Sequence, residues 1–175
     1  MEYLHNMHKL GQLVGVAAIL WLTGCSQPPP PAPAEKNQEK LPAVATVVRG
    51  GIEFVKGYMA GYDFAKKADR PMLVFFTAQW CNYCHQMEQD AFVDASVTTL
   101  AKRFVCILVD ADQEPEVCQE LDVRGYPTIQ FMTSRGVPLN RLTGRRPADQ
   151  LVSQMAAALE AAAARAERIG EPIVR

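Results

Sequence analysis

Between Ala43 and Arg168 the apolar positions fall either into short unbroken runs or into helical spacing. Met72-Leu73-Val74-Phe75-Phe76 and Phe104 to Val109 are continuous apolar runs of strand length, as expected of strands covered on both faces of a sheet. Ile52 to Val55 is a third candidate strand. Thr128 to Met132 is a fourth, followed by the turn Ser134-Arg135-Gly136 and a hairpin partner from Val137 to Leu142. Helical stretches separate them. Tyr58 to Ala68 carries Tyr58, Tyr62 and Ala65 on one side and is broken by Asp69-Arg70-Pro71, and another helix opens at Cys81. Ala95 to Lys102 and Glu114 to Leu121 follow, and an Ala-rich helix runs from Pro147, a residue suited to an early helical position, to Arg168. Ala is simply the best helix former, so this last helix reads as a cover for the sheet. Strands that alternate with helices and then end in a hairpin and a closing helix predict an α/β fold with a mixed central sheet flanked by helices. No internal repeat is visible.

The start of the chain has a different pattern. Lys9 is followed by an apolar run, Leu10 to Leu22, which is short for a bilayer span and ends in Leu22-Thr23-Gly24-Cys25. That ending resembles a bacterial lipobox, which implies cleavage after residue 24 and lipid attachment to the Cys25 sulfur; the alternatives are an ordinary secretory signal or an uncleaved anchor. Ser26 to Pro42 is Pro-rich and polar, a composition that cannot bury enough apolar surface to fold. It reads as a tether, and in extended polyproline geometry it would reach about 50 Å. The expected organisation is a lipoprotein signal peptide over 1–24, the lipidated Cys and linker over 25–42, one domain over 43–168, and a tail over 169–175.

Charge narrows the function further. The chain's 175 residues carry 18 basic and 19 acidic side chains with no Lys/Arg cluster, so nothing provides the electrostatic footprint of nucleic-acid binding.

Candidate chemistry is concentrated in Ala78-Gln79-Trp80-Cys81-Asn82-Tyr83-Cys84-His85. Cys-x-x-Cys is the dithiol of redox proteins, while Cys-x-x-Cys-His also attaches c-type haem. Two cysteines three apart at a helix start lie on one face, close enough for a disulfide. The first sits where unpaired N–H groups and the helix dipole favour a negative sulfur. A thiolate is the nucleophile, so Cys81 is the candidate attacking sulfur and Cys84 the resolving one. No second Cys-x-x-Cys and no paired His supplies the remaining ligands of a metal site, and none is expected.

A buried strand running into Trp80-Cys81-Asn82-Tyr83-Cys84, followed some forty residues later by Gly125-Tyr126-Pro127-Thr128 and another strand, resembles the thioredoxin superfamily. With Met87-Glu88 after the dithiol and Val109-Asp110 closing a strand, the chain is similar to thioredoxin-like domains grouped with the C-terminal periplasmic domain of the bacterial thiol:disulfide interchange transporter. The resemblance covers about Ile52 to Leu159. It implies a thioredoxin fold and thiol:disulfide exchange without a cofactor, and it weighs against haem, since small cytochromes c are mostly helical. It also implies that Trp80 belongs to the partner-binding surface. Pro127 becomes a cis-proline that would let the Tyr126 backbone pair with an extended substrate segment. His85 either tunes the dithiol or is a surface histidine. The chain departs from the family at one position: Phe75 stands six residues before Cys81, where thioredoxin has a buried Asp that assists the resolving thiol, leaving Glu88 or water for that work.

Cys106 and Cys118 remain, and read as buried small hydrophobes or, in an oxidising compartment, as partners in an extra disulfide. The expected protein is a membrane-tethered thiol:disulfide oxidoreductase outside the cytoplasm, on the periplasmic side in a Gram-negative cell. Its partners would be substrate proteins with disulfides and a thiol electron donor, membrane-bound or soluble, and it would act as a reductant. The alternative from another class is a non-catalytic binding or chaperone-like module on the same scaffold.

Overall fold

A computed structural model of the chain describes residues 44–170. The leader, Cys25, the Pro-rich tether and the last five residues lie outside the described residues. Six strands, β1 (Thr46–Arg49), β2 (Ile52–Lys56), β3 (Met72–Thr77), β4 (Val105–Asp110), β5 (Thr128–Met132) and β6 (Pro138–Thr143), form one sheet in the order β1-β2-β4-β3-β5-β6. The three strands at its centre, β2, β4 and β3, run parallel, while β1, β5 and β6 pair antiparallel to their neighbours. The sheet is therefore mixed, as its sequence pattern predicts.

Side-chain alternation on the central strands divides the core in two. Leu73 and Phe75 of β3 and Cys106 and Leu108 of β4 point to one face. There they meet α2 (Asn82–Gln89), α3 (Ala95–Ala101) and α5 (Ala148–Gly170) through Met87, Val97, Leu151 and Met155. Met72, Val74 and Phe76 of β3 and Val105, Ile107 and Val109 of β4 point to the other face, toward α1 (Tyr58–Ala68) and α4 (Pro115–Glu120). Every residue of β3 is buried, and this accounts for its unbroken apolar run. Each fully buried Phe or Leu on these strands contributes roughly 1.5–3 kcal/mol relative to exposure.

Helix ends follow local chemistry. The Asp94 carboxylate accepts from the N–H groups of Ser96 at 2.8 Å and Val97 at 3.2 Å, which caps α3. α1 stops at Asp69, which takes a left-handed conformation (φ 46°) and donates its N–H to Ala65. α1 lies close on β4 because Gly61 faces Ile107, where a Cβ would come within 2.4 Å of that side chain.

β1 is absent from the sequence reading, as is a single 3-10 turn at Ala91–Val93. β1 is an edge strand with mostly exposed residues, so it has no buried stripe to betray it. α5 starts one residue after Pro147 and continues to Gly170. No helix among the described residues is long and apolar enough to cross a membrane.

Candidate active site

β3 ends at Thr77, and a turn closed by the Cys81 N–H on the Ala78 carbonyl (3.0 Å) delivers Cys81 to the N-cap of α2. Cys81 and Cys84 are joined by a disulfide with Cα atoms 5.3 Å apart. Both are buried in the cluster that holds Phe75 and Ile129. The Cys84 N–H points to the Cys81 sulfur at 3.2 Å, so the first turn of the helix offers a donor to whatever charge that sulfur carries.

Around the disulfide the surface is aromatic. Trp80 and Tyr83 are exposed by 67% and 62%, far more than large hydrophobics normally are, and Asn82 is exposed as well. The Trp80 ring meets Tyr126 edge to face at 5.8 Å, and its indole N–H donates to Asp112 Oδ1 at 3.2 Å. Tyr126 precedes Pro127 through a cis peptide bond. The Tyr126 N–H and C=O pair with no other backbone group among the described residues. Burial pushes the Tyr126 phenol up to about 12.

His85 is half exposed, and its Nε2–H donates to the Gln79 carbonyl at 3.1 Å, tying the start of the helix to the turn before it. The Glu88 carboxylate is only 15% exposed and lies 3.6 Å from Arg49 Nε and 3.8 Å from His85 Nδ1. Phe75 sits in an aromatic group with Phe54 at 5.8 Å and Phe92 at 4.9 Å. The family's buried acid is thus replaced by a wall of rings.

Cys106 and Cys118 are both free and buried, so the extra disulfide left open by the sequence is not formed. They belong to core clusters on opposite faces of the sheet. Burial raises the Cys106 thiol to about 12, and its sulfur lies 3.6 Å from the Ala101 carbonyl. Among the described residues no group of three or more His, Cys, Asp or Glu side chains gathers as a metal site.

Sequence reasoning missed Asp112, Arg49 and Gln79. Asp112 is 32 residues from the Trp80 it binds, and Arg49 belongs to the unread edge strand. No local pattern marks either.

A dithiol carried from a buried central strand into a helix start, with a cis-proline at the entry of the strand paired beside it, defines a thioredoxin-fold redox domain. The chain belongs to the thioredoxin family, whose model, described as Thioredoxin, matches residues 61–157. It is 31% identical over 105 residues to the thioredoxin of Alicyclobacillus acidocaldarius, covering 58% of this chain and 93% of that one. It is also 31% identical over 138 residues to the thiol:disulfide interchange protein DsbD of Vibrio vulnificus (strain YJ016). That match covers 75% of this chain but spans only 23% of the relative. A solved thioredoxin from Thermus thermophilus superposes with a TM-score of 0.58 at 25% identity, covering 67% of this chain and 95% of its own. The fold also settles the ambiguity of Cys-x-x-Cys-His, because a thioredoxin sheet uses the two sulfurs as a redox couple.

Proposed function

We propose that this chain is a thiol:disulfide oxidoreductase that reduces protein disulfides outside the cytoplasm while tethered to a membrane through Cys25. The observation that carries the reading is the Cys81–Cys84 disulfide at the head of α2, framed by the exposed aromatics Trp80 and Tyr83. In the reduced protein the Cys81 thiolate attacks a substrate disulfide, forms a mixed disulfide and releases one substrate thiolate. Cys84 then loses its proton and attacks the Cys81 sulfur. The second substrate thiolate leaves, and the Cys81–Cys84 bond closes. Two electrons have passed to the substrate, and a thiol donor must return them before the next cycle. Substrate is held in extended form against the unpaired Tyr126 backbone, with Trp80 and Tyr83 covering its side chains.

The interchange protein DsbD supports the reductive direction and an extracytoplasmic setting, and the Leu22-Thr23-Gly24-Cys25 sequence supports the anchor. A Cys84→Ser variant tests the mechanism: it should accumulate a covalent mixed disulfide with substrate proteins, while Cys81→Ser accumulates none and has no turnover. A chain that keeps its function with Cys81→Ser would be a binding module. Fractionating the same cells tests the tether, since Cys25→Ser should move the trapped species from the membrane to the soluble fraction.

A further inference from the structure

At the end of the sheet away from the disulfide, four arginines gather in one groove. Arg103 lies two residues before β4, Arg135 is in the turn between β5 and β6, and Arg165 and Arg168 are on the last turns of α5. All four are exposed, and the open groove they line has a volume of about 870 Å³. Among the described residues none of them is paired with an acid; the ion pairs are made by Arg49, Arg124, Arg145 and His85. The groove has one carboxylate of its own, Asp69, which accepts the Ser134 hydroxyl at 2.8 Å. Arg168 directs its Nε–H to the Ala164 carbonyl at 3.3 Å and keeps its charge uncompensated. Like charges collected in this way repel one another until an anion joins them. Guanidinium forks match phosphate oxygens, and Ala162 and Ala166, on the α5 side of the groove, put no long side chain in the way.

We propose that this groove seats the domain on an anionic membrane, with the phosphates of lipid headgroups among the four arginines and the disulfide turned outward. The inference rests on the reading above, in which Cys25 anchors the chain. A tether of about 50 Å is longer than the roughly 35 Å across a domain of this size, so the linker alone sets no orientation. It does hold the domain beside the membrane at high local concentration, where the modest attraction of each arginine to anionic lipid counts. β3 separates the groove from the redox site: it starts at Met72, next to Pro71 in the groove, and ends at Thr77, from which the chain turns to Cys81. A strand of that length spans roughly 17–20 Å. The screening length at physiological salt is only about 8 Å. The dithiol therefore stands clear of the surface charge and open to protein substrates.

The test uses the full chain with its own anchor in two kinds of vesicle, phosphatidylcholine alone and one part phosphatidylglycerol to two parts phosphatidylcholine. Amide hydrogen exchange is followed over residues 133–137 and 159–168. Exchange there should be slower on the anionic vesicles than on the neutral ones, and should return to the neutral rate at about 1 M salt, where the screening length falls to about 3 Å. Each arginine changes the ratio of docked to undocked domain about fivefold, so Arg103→Gln, Arg135→Gln and Arg165→Gln together should lower it on the order of a hundredfold and abolish the protection. Reduction of Cys81–Cys84 by dithiothreitol should run at one rate on both vesicles. Exchange equal on the two vesicles overturns the proposal, whether the groove stays open or is covered by a second copy or by the chain's own tail. So does equal protection from inorganic phosphate added to the neutral sample, which would make the groove a site for a soluble anion. Slower reduction on the anionic vesicles would put the dithiol against the membrane and overturns it as well. The salt comparison is made on the parent and decides if the triple variant does not fold. A parent that does not stay with the neutral vesicles removes the anchor reading; its exchange on anionic vesicles at about 10 mM salt still decides the groove, protection supporting it and none overturning it.

Discussion

Glu88 stands one helical turn beyond Cys84, with its carboxylate shared between Arg49 and His85 and little of it exposed. With Phe75 walled in by Phe54 and Phe92, it is the nearest acid along α2 to take the proton of the resolving thiol. A positioned acid or base contributes typically 10²–10⁴-fold when it touches the proton. Sharing with Arg49 places Glu88 at or below the low end, so Glu88→Gln should slow resolution of the mixed disulfide about tenfold and leave its formation unchanged. Unchanged resolution would leave water in that role. A second prediction concerns Cys106. A thiol in the unfolded chain ionises near 9, whereas the folded Cys106 keeps its proton to about 12. Between those values the folded state binds more protons than the unfolded one, so this contribution to stability is complete below about pH 9 and is lost as pH rises toward 12. Tyr126, held up to about 12 from 10, steepens the loss in the upper part of the window. Urea midpoints of reduced protein measured from pH 8 to 11 should fall less steeply for Cys106→Val than for the parent. Equal slopes would show that the buried thiol does not govern the alkaline limb. At this scale the dithiol and Pro127 were legible because their spacing is a motif. Arg49 as a partner of Glu88 and Asp112 as the partner of Trp80 were not, since each contact joins residues that only the folded sheet brings together.

At the scale of elements, legibility follows burial. β3 and β5 could be placed from sequence because both are buried along their whole length, and α1 because Asp69 and Pro71 end it abruptly. β1 is the contrary case: four mostly exposed residues pair only with β2, and their position depends on the Gly50-Gly51 turn seating against Phe92. Gln130 could not have been read as buried from its polarity. It is accommodated in β5 because Arg141 and the carbonyls of Phe131 and Asn140 satisfy its amide. α1 packs closely on β4, where a Cβ on Gly61 would come within 2.4 Å of the Ile107 side chain. Ile107 is fully buried. Gly61→Ala should therefore destabilise the domain by about 1–3 kcal/mol even though alanine favours a helix, because overpacking outweighs the propensity gain of about 1 kcal/mol. Chemical denaturation measures it, and a stabilised Gly61→Ala would mean that α1 can lift from the sheet without loss.

For the whole molecule, the direction of electron flow depends on how strongly the fold favours a thiolate on Cys81. Favouring the thiolate stabilises the reduced form and raises the potential, so a strongly stabilised sulfur makes an oxidant. Two features favour charge: the N-cap position of Cys81 and the Cys84 N–H directed at its sulfur. Others oppose it. Both sulfurs are buried in an apolar cluster with Phe75, and Asn82 and Tyr83, the residues between them, carry no charge. His85 is turned to the Gln79 carbonyl and Glu88, an acid that offsets any positive charge the imidazole gains. Helix termini are worth about 0.3–1 kcal/mol to a nearby charge, and burying an ion without a partner costs more than that, so stabilisation of the thiolate is only partial. The potential is therefore expected toward the reducing end of the family, roughly −200 to −270 mV, between glutaredoxins and thioredoxin. Equilibrating the protein against glutathione or dithiothreitol and counting free Cys81 and Cys84 thiols gives the value. Cys106 and Cys118 supply a constant background because neither pairs. A potential near about −120 mV, where strong oxidants lie, would reverse the proposed direction and make the domain a donor of disulfides.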